Sequence, residues 1–179
     1  MKKILILALL MAVYSQGFAF LKQGNWRWRR DDGSETTATW LAAANTAPTI
    51  SSSTDILRLR YEVLSPLTVS TDLEDTIQWA TSTAGPWTNL DVTAGSSPFV
   101  IAGSSAFVTQ GELTTPQLAQ SLNYPWYPGK IMVDSQVLKW TLPQKYRTEY
   151  EWCIKPTPNV AANATYYFRS WGATSELQN

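Results

Sequence analysis

The 179-residue sequence contains no histidine and only one cysteine, Cys153. Without histidine there is no Ser-His-Asp or Cys-His catalytic set, and the commonest metal ligand is missing. A lone cysteine excludes an internal disulfide framework, so stability has to come from buried apolar area. Charge is also sparse, with 14 Lys and Arg against 14 Asp and Glu. That balance predicts neither a nucleic-acid partner nor an anionic membrane surface. Long apolar runs are missing as well. The one at residues 4–13 falls short of the roughly 20 residues a membrane helix needs, and no stable membrane span is expected.

That run has a different meaning. It sits in "MKKILILALLMAVYSQGFA", behind the basic Lys2 and Lys3 and ahead of the small residues Gly17 and Ala19. This is the layout of a cleaved signal peptide, assigned to residues 1–19, with one exported domain expected over 20–179. Without Lys2 and Lys3 the basic residues fall from 14 to 12 against 14 acidic, a net charge of −2.

The sequence is rich in aromatics, with nine Trp, eight Tyr and five Phe. Each large ring buries about 150–250 Å². Strand patterns dominate. In "DILRLRYEVL" the residues Leu57, Leu59, Tyr61 and Val63 share one face, while Arg58, Arg60 and Glu62 share the other. In "TEYEWCIK" Tyr150, Trp152 and Ile154 alternate with Glu149, Glu151 and Cys153. Such period-2 alternation predicts half-buried antiparallel strands, with the charged faces solvated. "TYYFRSW" sets Tyr166 and Phe168 against Tyr167, Arg169 and Trp171; Trp79 and Trp140 also fall on apolar faces. Turn signals such as Asp32-Gly33, Gly85-Pro86 and Pro128-Gly129 separate the runs, and only residues 115–122 read as one short helix. The expected fold is an all-β, antiparallel sandwich of a single domain. Its predicted core includes Leu57, Leu59, Tyr61, Val63, Trp79, Trp152 and Phe168.

"NWRWRRDDGSETTATW" reads as a first hairpin: Trp26, Trp28 and Arg30 on one face, a turn at residues 31–34, and a return strand through Thr36, Ala38 and Trp40. Its Asp31, Asp32 and Glu35 offer oxygen ligands around a glycine turn, a weak calcium candidate without the alternation of an EF-hand loop. The carboxylate pairs Glu149 with Glu151, and Glu74 with Asp75, read as solvated surface acids rather than a catalytic pair facing across a cleft. Cys153 reads as a half-buried, inert thiol, with an intermolecular bridge as the alternative. Tyr124, Trp126 and Tyr127, in a Pro-rich loop, are the aromatics best placed for a ligand. Asn163-Ala164-Thr165 is a formal glycosylation acceptor.

"RWRRDDGSETTATWLAAANT", then "LRLRYEV", then "YEWCIKPTPNVAANATYYFR" together resemble an immunoglobulin-like domain of bacterial secreted and surface proteins. "QWATSTAGPWTNL" is similar to the C–C′ hairpin of such modules. The resemblance spans most of residues 20–179, is weak over 92–130, and departs at Arg30, where the pattern has Asn. It implies an immunoglobulin-like fold and an extracellular or surface location, not a reaction. It also implies one more strand after the TYYFR strand, where here only "ATSELQN" follows Gly172.

These observations predict a non-enzymatic extracellular structural or adhesive protein that needs no cofactor. An unpaired edge beside the TYYFR strand invites strand addition. Residues 20–30, with Phe20, Leu21, Trp26 and Trp28, are the expected donor, giving a homo-oligomer or a head-to-tail, pilus-like filament. The alternative within that reading is a monomer whose first strand pairs at home. The alternative of a different class is a secreted carbohydrate-binding module that takes a surface glycan on Tyr124, Trp126 and Tyr127.

Overall fold

A computed structural model describes residues 21–51, 54–136 and 138–172. The expected signal peptide, Phe20 and residues 173–179 lie outside the described residues. Ten strands follow in order: β1 (Lys22–Arg30), β2 (Leu57–Leu64), β3 (Thr71–Leu73), β4 (Asp75–Ala80), β5 (Thr88–Asn89), β6 (Phe99–Ile101), β7 (Ile131–Met132), β8 (Trp140–Leu142), β9 (Arg147–Pro156) and β10 (Tyr167–Gly172). There is no helix among the described residues. The large sheet runs β1-β2-β9-β6, with β7 also on β9; the small sheet runs β10-β4-β5, and β3 pairs with β8. All pairings are antiparallel except β7 with β9. The architecture is that of a β-sandwich.

The alternating apolar residues set the register. Leu57, Leu59, Tyr61 and Val63 lie opposite Ile154, Trp152, Tyr150 and Thr148. On the other side of β2, Trp28 of β1 meets Leu59. In the small sheet Phe168 lies opposite Trp79, and Ser170 opposite Ile77. The inner faces of the two sheets meet in one core of Leu59, Tyr61, Val63, Ile77, Phe99, Trp152 and Ile154; Trp79, Trp140 and Phe168 are part-buried against it. Phe99 and Trp28 each set an edge against Phe168 at about 5 Å between ring centres. Trp152 Nε1 donates to Tyr61 Oη at 3.1 Å, and Tyr61 stacks on Tyr150.

Three expectations need correction. The polar faces of β2 and β9 are not solvated: Arg58, Arg60, Glu62, Glu149, Glu151 and Cys153 are all fully buried. Alternation reveals that a strand has two unlike faces, but not what covers the second. Residues 115–122 are not helical. The backbone N–H groups of Gln117, Leu118 and Ser121 donate instead to the carboxylates of Glu149 and Glu62 rising from the sheet, and that of Thr115 to Glu35 of the turn after β1. A chain segment offered charged acceptors has no need of helical carbonyls. Finally, residues 36–40 form no return strand. Trp40 makes a single bridge to Arg29, and the N–H groups of Arg30 and Leu41 close the turn onto Thr39 and Trp28 carbonyls.

The large sheet therefore lies between the small sheet and an irregular cover of residues 105–130. Gly129 lets that cover come close: a side chain there would collide with the Glu149 carbonyl. Thr114 Oγ1 donates to the same carbonyl at 2.7 Å and accepts from Gly129 N–H. Under the cover, Val108, Ile131, Val133 and Cys153 form a second apolar cluster.

Trp152 is buried in the core and held by its hydrogen bond to Tyr61. Trp152→Ala is expected to lower stability by about 3–5 kcal/mol in chemical denaturation. A loss below about 1 kcal/mol would show that the core closes around the void.

Candidate functional site

Two features combine unusual chemistry with a defined place in the fold: the ionic layer on the covered face of the large sheet, and an apolar groove at its open side.

The ionic layer follows from strand register. Arg60 lies directly opposite Glu151, flanked by Glu149 two positions along the same face of β9. Arg60 Nε reaches Glu149 at 2.5 Å, Nη1 reaches Glu151 at 2.9 Å, and Nη2 reaches Glu35 at 2.7 Å. Arg29, from β1, also contacts Glu151, at 2.5 Å. Arg58 sits 3.3 Å from the second Glu151 oxygen and donates to the Gly33 and Ser34 carbonyls. At the far end Arg147 pairs with Glu62 at 3.4 Å. Burial works against a charged Glu35, but the Thr115 N–H and Arg60 outweigh it and hold the carboxyl below its usual range. For Glu149 burial wins: Arg60 and the Leu118 and Gln117 N–H groups only partly offset it, and its carboxyl is pushed up. Burial opposes charge on Arg60 too, but Glu151 and Glu149 more than compensate and raise it.

This arrangement does not resemble a catalytic acid pair. Glu149 and Glu151 have no exposed side-chain surface, and both are held by arginines. Glu74 lies at the surface, paired with Lys139 at 2.9 Å, while Asp75 is buried, and its charge adds to burial in pushing up the Tyr150 phenol. Cys153 is fully buried, and burial followed by the Glu151 charge pushes its thiol well above the ordinary range.

The carboxylates of the candidate calcium turn each have a separate partner. Asp31 accepts from Ser105 Oγ at 2.8 and 2.9 Å and lies 3.6 Å from Arg58. Asp32 accepts from Thr39 N–H at 2.8 Å, which holds its carboxyl low. Glu35 turns into the ionic layer. Among the described residues no group of three or more His, Cys, Asp and Glu side chains is placed to hold a metal ion.

The loop aromatics fold back toward β9. Trp126 bridges to Arg147, whose guanidinium lies 5.2 Å over its ring. Tyr124 and Trp126 are half-buried. Tyr127 is the exposed member and sets its ring edge-on to Tyr146.

The groove has a volume of about 910 Å³ and lies between β1 and β10. Gln23, Trp26 and Trp28 line one wall and Phe168 and Ser170 the other, over a floor of core residues that includes Leu59 and Ile77. Among the described residues β10 pairs only with β4, so its groove side has no strand neighbour. Arg169 of β10, which also lines the groove, is held between Trp87 and Trp171, 4.4 and 4.3 Å from the ring centres, and donates to Gln78 at 2.7 Å. Of the expected donor residues, Leu21 and Trp28 are buried in the chain's own core, and Trp26 packs against it. Residues 22–30 pair with β2 of the same chain.

Sequence reasoning missed the ionic layer, although its signal is there. The Arg-x-Arg of "LRLRYEV" and the Glu-x-Glu of "TEYEWC" are complementary charges at the same period. No protein-family profile matches the chain, and no curated protein or solved structure is significantly similar to it.

Arg60 neutralises three buried carboxylates, so Arg60→Met is expected to cost about 3–5 kcal/mol of stability in urea titration. Retention of full stability would mean the layer is not sealed. The acid limb has a definite sign. Glu35 is held low, so its contribution is present above its unfolded pKa and lost as pH falls through the folded value. Glu149 is held high and acts the other way, contributing below its unfolded pKa and losing that contribution as pH rises. Glu35→Gln is therefore expected to flatten the fall in stability below about pH 4.3, the ordinary Glu value, when denaturation midpoints are compared across pH. An unchanged acid limb would remove Glu35 from that account.

Proposed function

We propose that this protein is a non-enzymatic extracellular structural module, an immunoglobulin-like sandwich that joins to other copies by accepting an extended segment along β10. The observation that carries this reading is the apolar groove on the side of β10 that has no strand neighbour among the described residues. An exposed strand edge is a template for another strand, and alternate side chains of an incoming strand would enter the groove. The sheet orders support it. In the immunoglobulin sandwich one sheet is ordered A-B-E-D and the other G-F-C, with C′ following C in the variable type. The order β1-β2-β9-β6 corresponds to the first, and β10-β4-β5 to F-C-C′. Among the described residues no strand takes the position of strand G, on the groove side of β10.

Export rests on the signal-like segment at residues 1–19. Assembly into a filament follows if the contact is head-to-tail and does not close. Residues 20–30 are the less suitable donor, because giving them up would withdraw Arg29 from Glu151 and Trp28 from the core. The glycan-binding alternative on Tyr124, Trp126 and Tyr127 has weaker support, since Arg147 already covers a face of Trp126.

The test is self-association of the protein lacking residues 1–19, followed by sedimentation over a concentration series. Ala164→Arg, at an exposed position on the groove rim, is expected to weaken association on the order of tenfold while leaving thermal unfolding unchanged. A wild-type protein that stays monomeric throughout would overturn assembly through the groove.

A further inference from the structure

The outer face of the small sheet carries a guanidinium that no carboxylate among the described residues neutralises. We propose that Arg169 and the two tryptophans that hold it form a binding site for a carboxylated sugar, the repeating unit of an acidic polysaccharide. The proposal does not rest on the groove-acceptor reading.

Strand register builds the site. Phe168 of β10 packs against the core and Ser170 is buried, so alternation puts Tyr167, Arg169 and Trp171 on the opposite, outer face. Arg169 lies opposite Gln78 of β4, and Gln78 lies opposite Asn89 of β5. One polar row therefore crosses all three strands. It is hydrogen-bonded throughout: Arg169 Nε donates to Gln78 Oε1 at 2.7 Å, and Gln78 Nε2 donates to Asn89 Oδ1 at 2.7 Å. Trp87, just before β5, and Trp171 hold the guanidinium between them. Tyr167 and Arg169 also line the groove, so the site and the groove adjoin at β10.

This holding uses Nε and the faces of the guanidinium, and it leaves the Nη1 and Nη2 edge. Among the described residues Arg169 makes no ion pair, and neither Nη group donates a hydrogen bond. The ionic layer is the contrast: there Arg29, Arg58 and Arg60 each meet a carboxylate. A guanidinium fixed in place without a counter-ion is a receptor for a carboxylate, which it takes through two parallel N–H···O bonds. Its order is already imposed by the rings and Gln78, so little freedom remains to be lost on binding.

The surroundings select a sugar acid over a bare anion. Tyr167 is exposed two positions along the same face of β10. The indole N–H groups of Trp87 and Trp171 make no hydrogen bond among the described residues. A pyranose uronate presents a carboxylate at one corner, a flat C–H face and a rim of hydroxyls. The carboxylate suits the guanidinium fork, and the C–H face suits an aromatic ring, whose electron-rich face attracts it. The hydroxyls suit the indole N–H groups and the exposed Asn89 amide. With 14 basic and 14 acidic residues the chain has no excess charge to draw in a nucleic acid.

The test is binding of polygalacturonate by the protein lacking residues 1–19, followed by affinity electrophoresis. Methyl-esterified polygalacturonate is the neutral comparator and dextran sulfate the sulfated one. The wild type is expected to bind the acid on the order of tenfold more tightly than either. Arg169→Gln and Arg169→Lys are each expected to lose on the order of tenfold, because lysine keeps the charge but not the fork. Lys155→Gln, which removes an exposed charge elsewhere on the sandwich, should change nothing. Equal binding of acid and ester, preference for dextran sulfate, or equal losses in Arg169→Gln and Lys155→Gln would each overturn the proposal. The comparison of acid with ester uses the wild type alone, so it decides even where a variant loses its fold. Sugar binding by a protein that stays monomeric upholds the site while removing the groove-acceptor reading.

Discussion

The centre of the structure is a guanidinium, Arg60, held by carboxylates from two sides. Glu149 and Glu151 come from the neighbouring strand, and Glu35 comes down from the turn after β1. Isolated charges are strongly disfavoured in an interior, and this layer persists because every charge has a partner close by. The consequences extend outward. The layer fixes the pairing of β2 with β9, since a slip of one residue would drive Arg58 and Arg60 into the apolar core and expose Leu59 and Tyr61. It also organises the cover. The Thr115, Gln117, Leu118 and Ser121 N–H groups find their acceptors there, so a segment without regular structure has its backbone donors satisfied.

The two sheets are consequently unequal. The large sheet is protected on both faces, by the aromatic core on one side and by the ionic layer and its cover on the other. The small sheet has three strands, and one side of β10 faces no strand among the described residues. At the groove, Trp28 still meets Phe168 of the small sheet edge-on, and Trp26 packs against the core from its margin.

The same division explains the fate of the candidate site residues. Asp31 and Glu35 have the chemistry of cation ligands, and each lies beside an arginine of β2, Asp31 3.6 Å from Arg58 and Glu35 2.7 Å from Arg60. Trp126 has the chemistry of a sugar platform, but Arg147 lies over it.

Much of the strand content was legible in the amino-acid order. Alternation placed Leu57, Leu59, Tyr61, Val63 and Trp152 in the core, and the segment around Gly85-Pro86 forms the β4–β5 connection it suggested. Those features depend on local period and turn chemistry, which a strand cannot hide. The polar faces were not legible in this way, because Arg58, Arg60, Glu149 and Glu151 look alike whether water or another segment covers them. Only the tertiary structure decided that, by laying residues 105–130 across the sheet. The groove is of the same kind. The sequence by itself determined the alternation of side chains along β1 and β10, and only the way two sheets built from distant segments come together determined the groove between those strands.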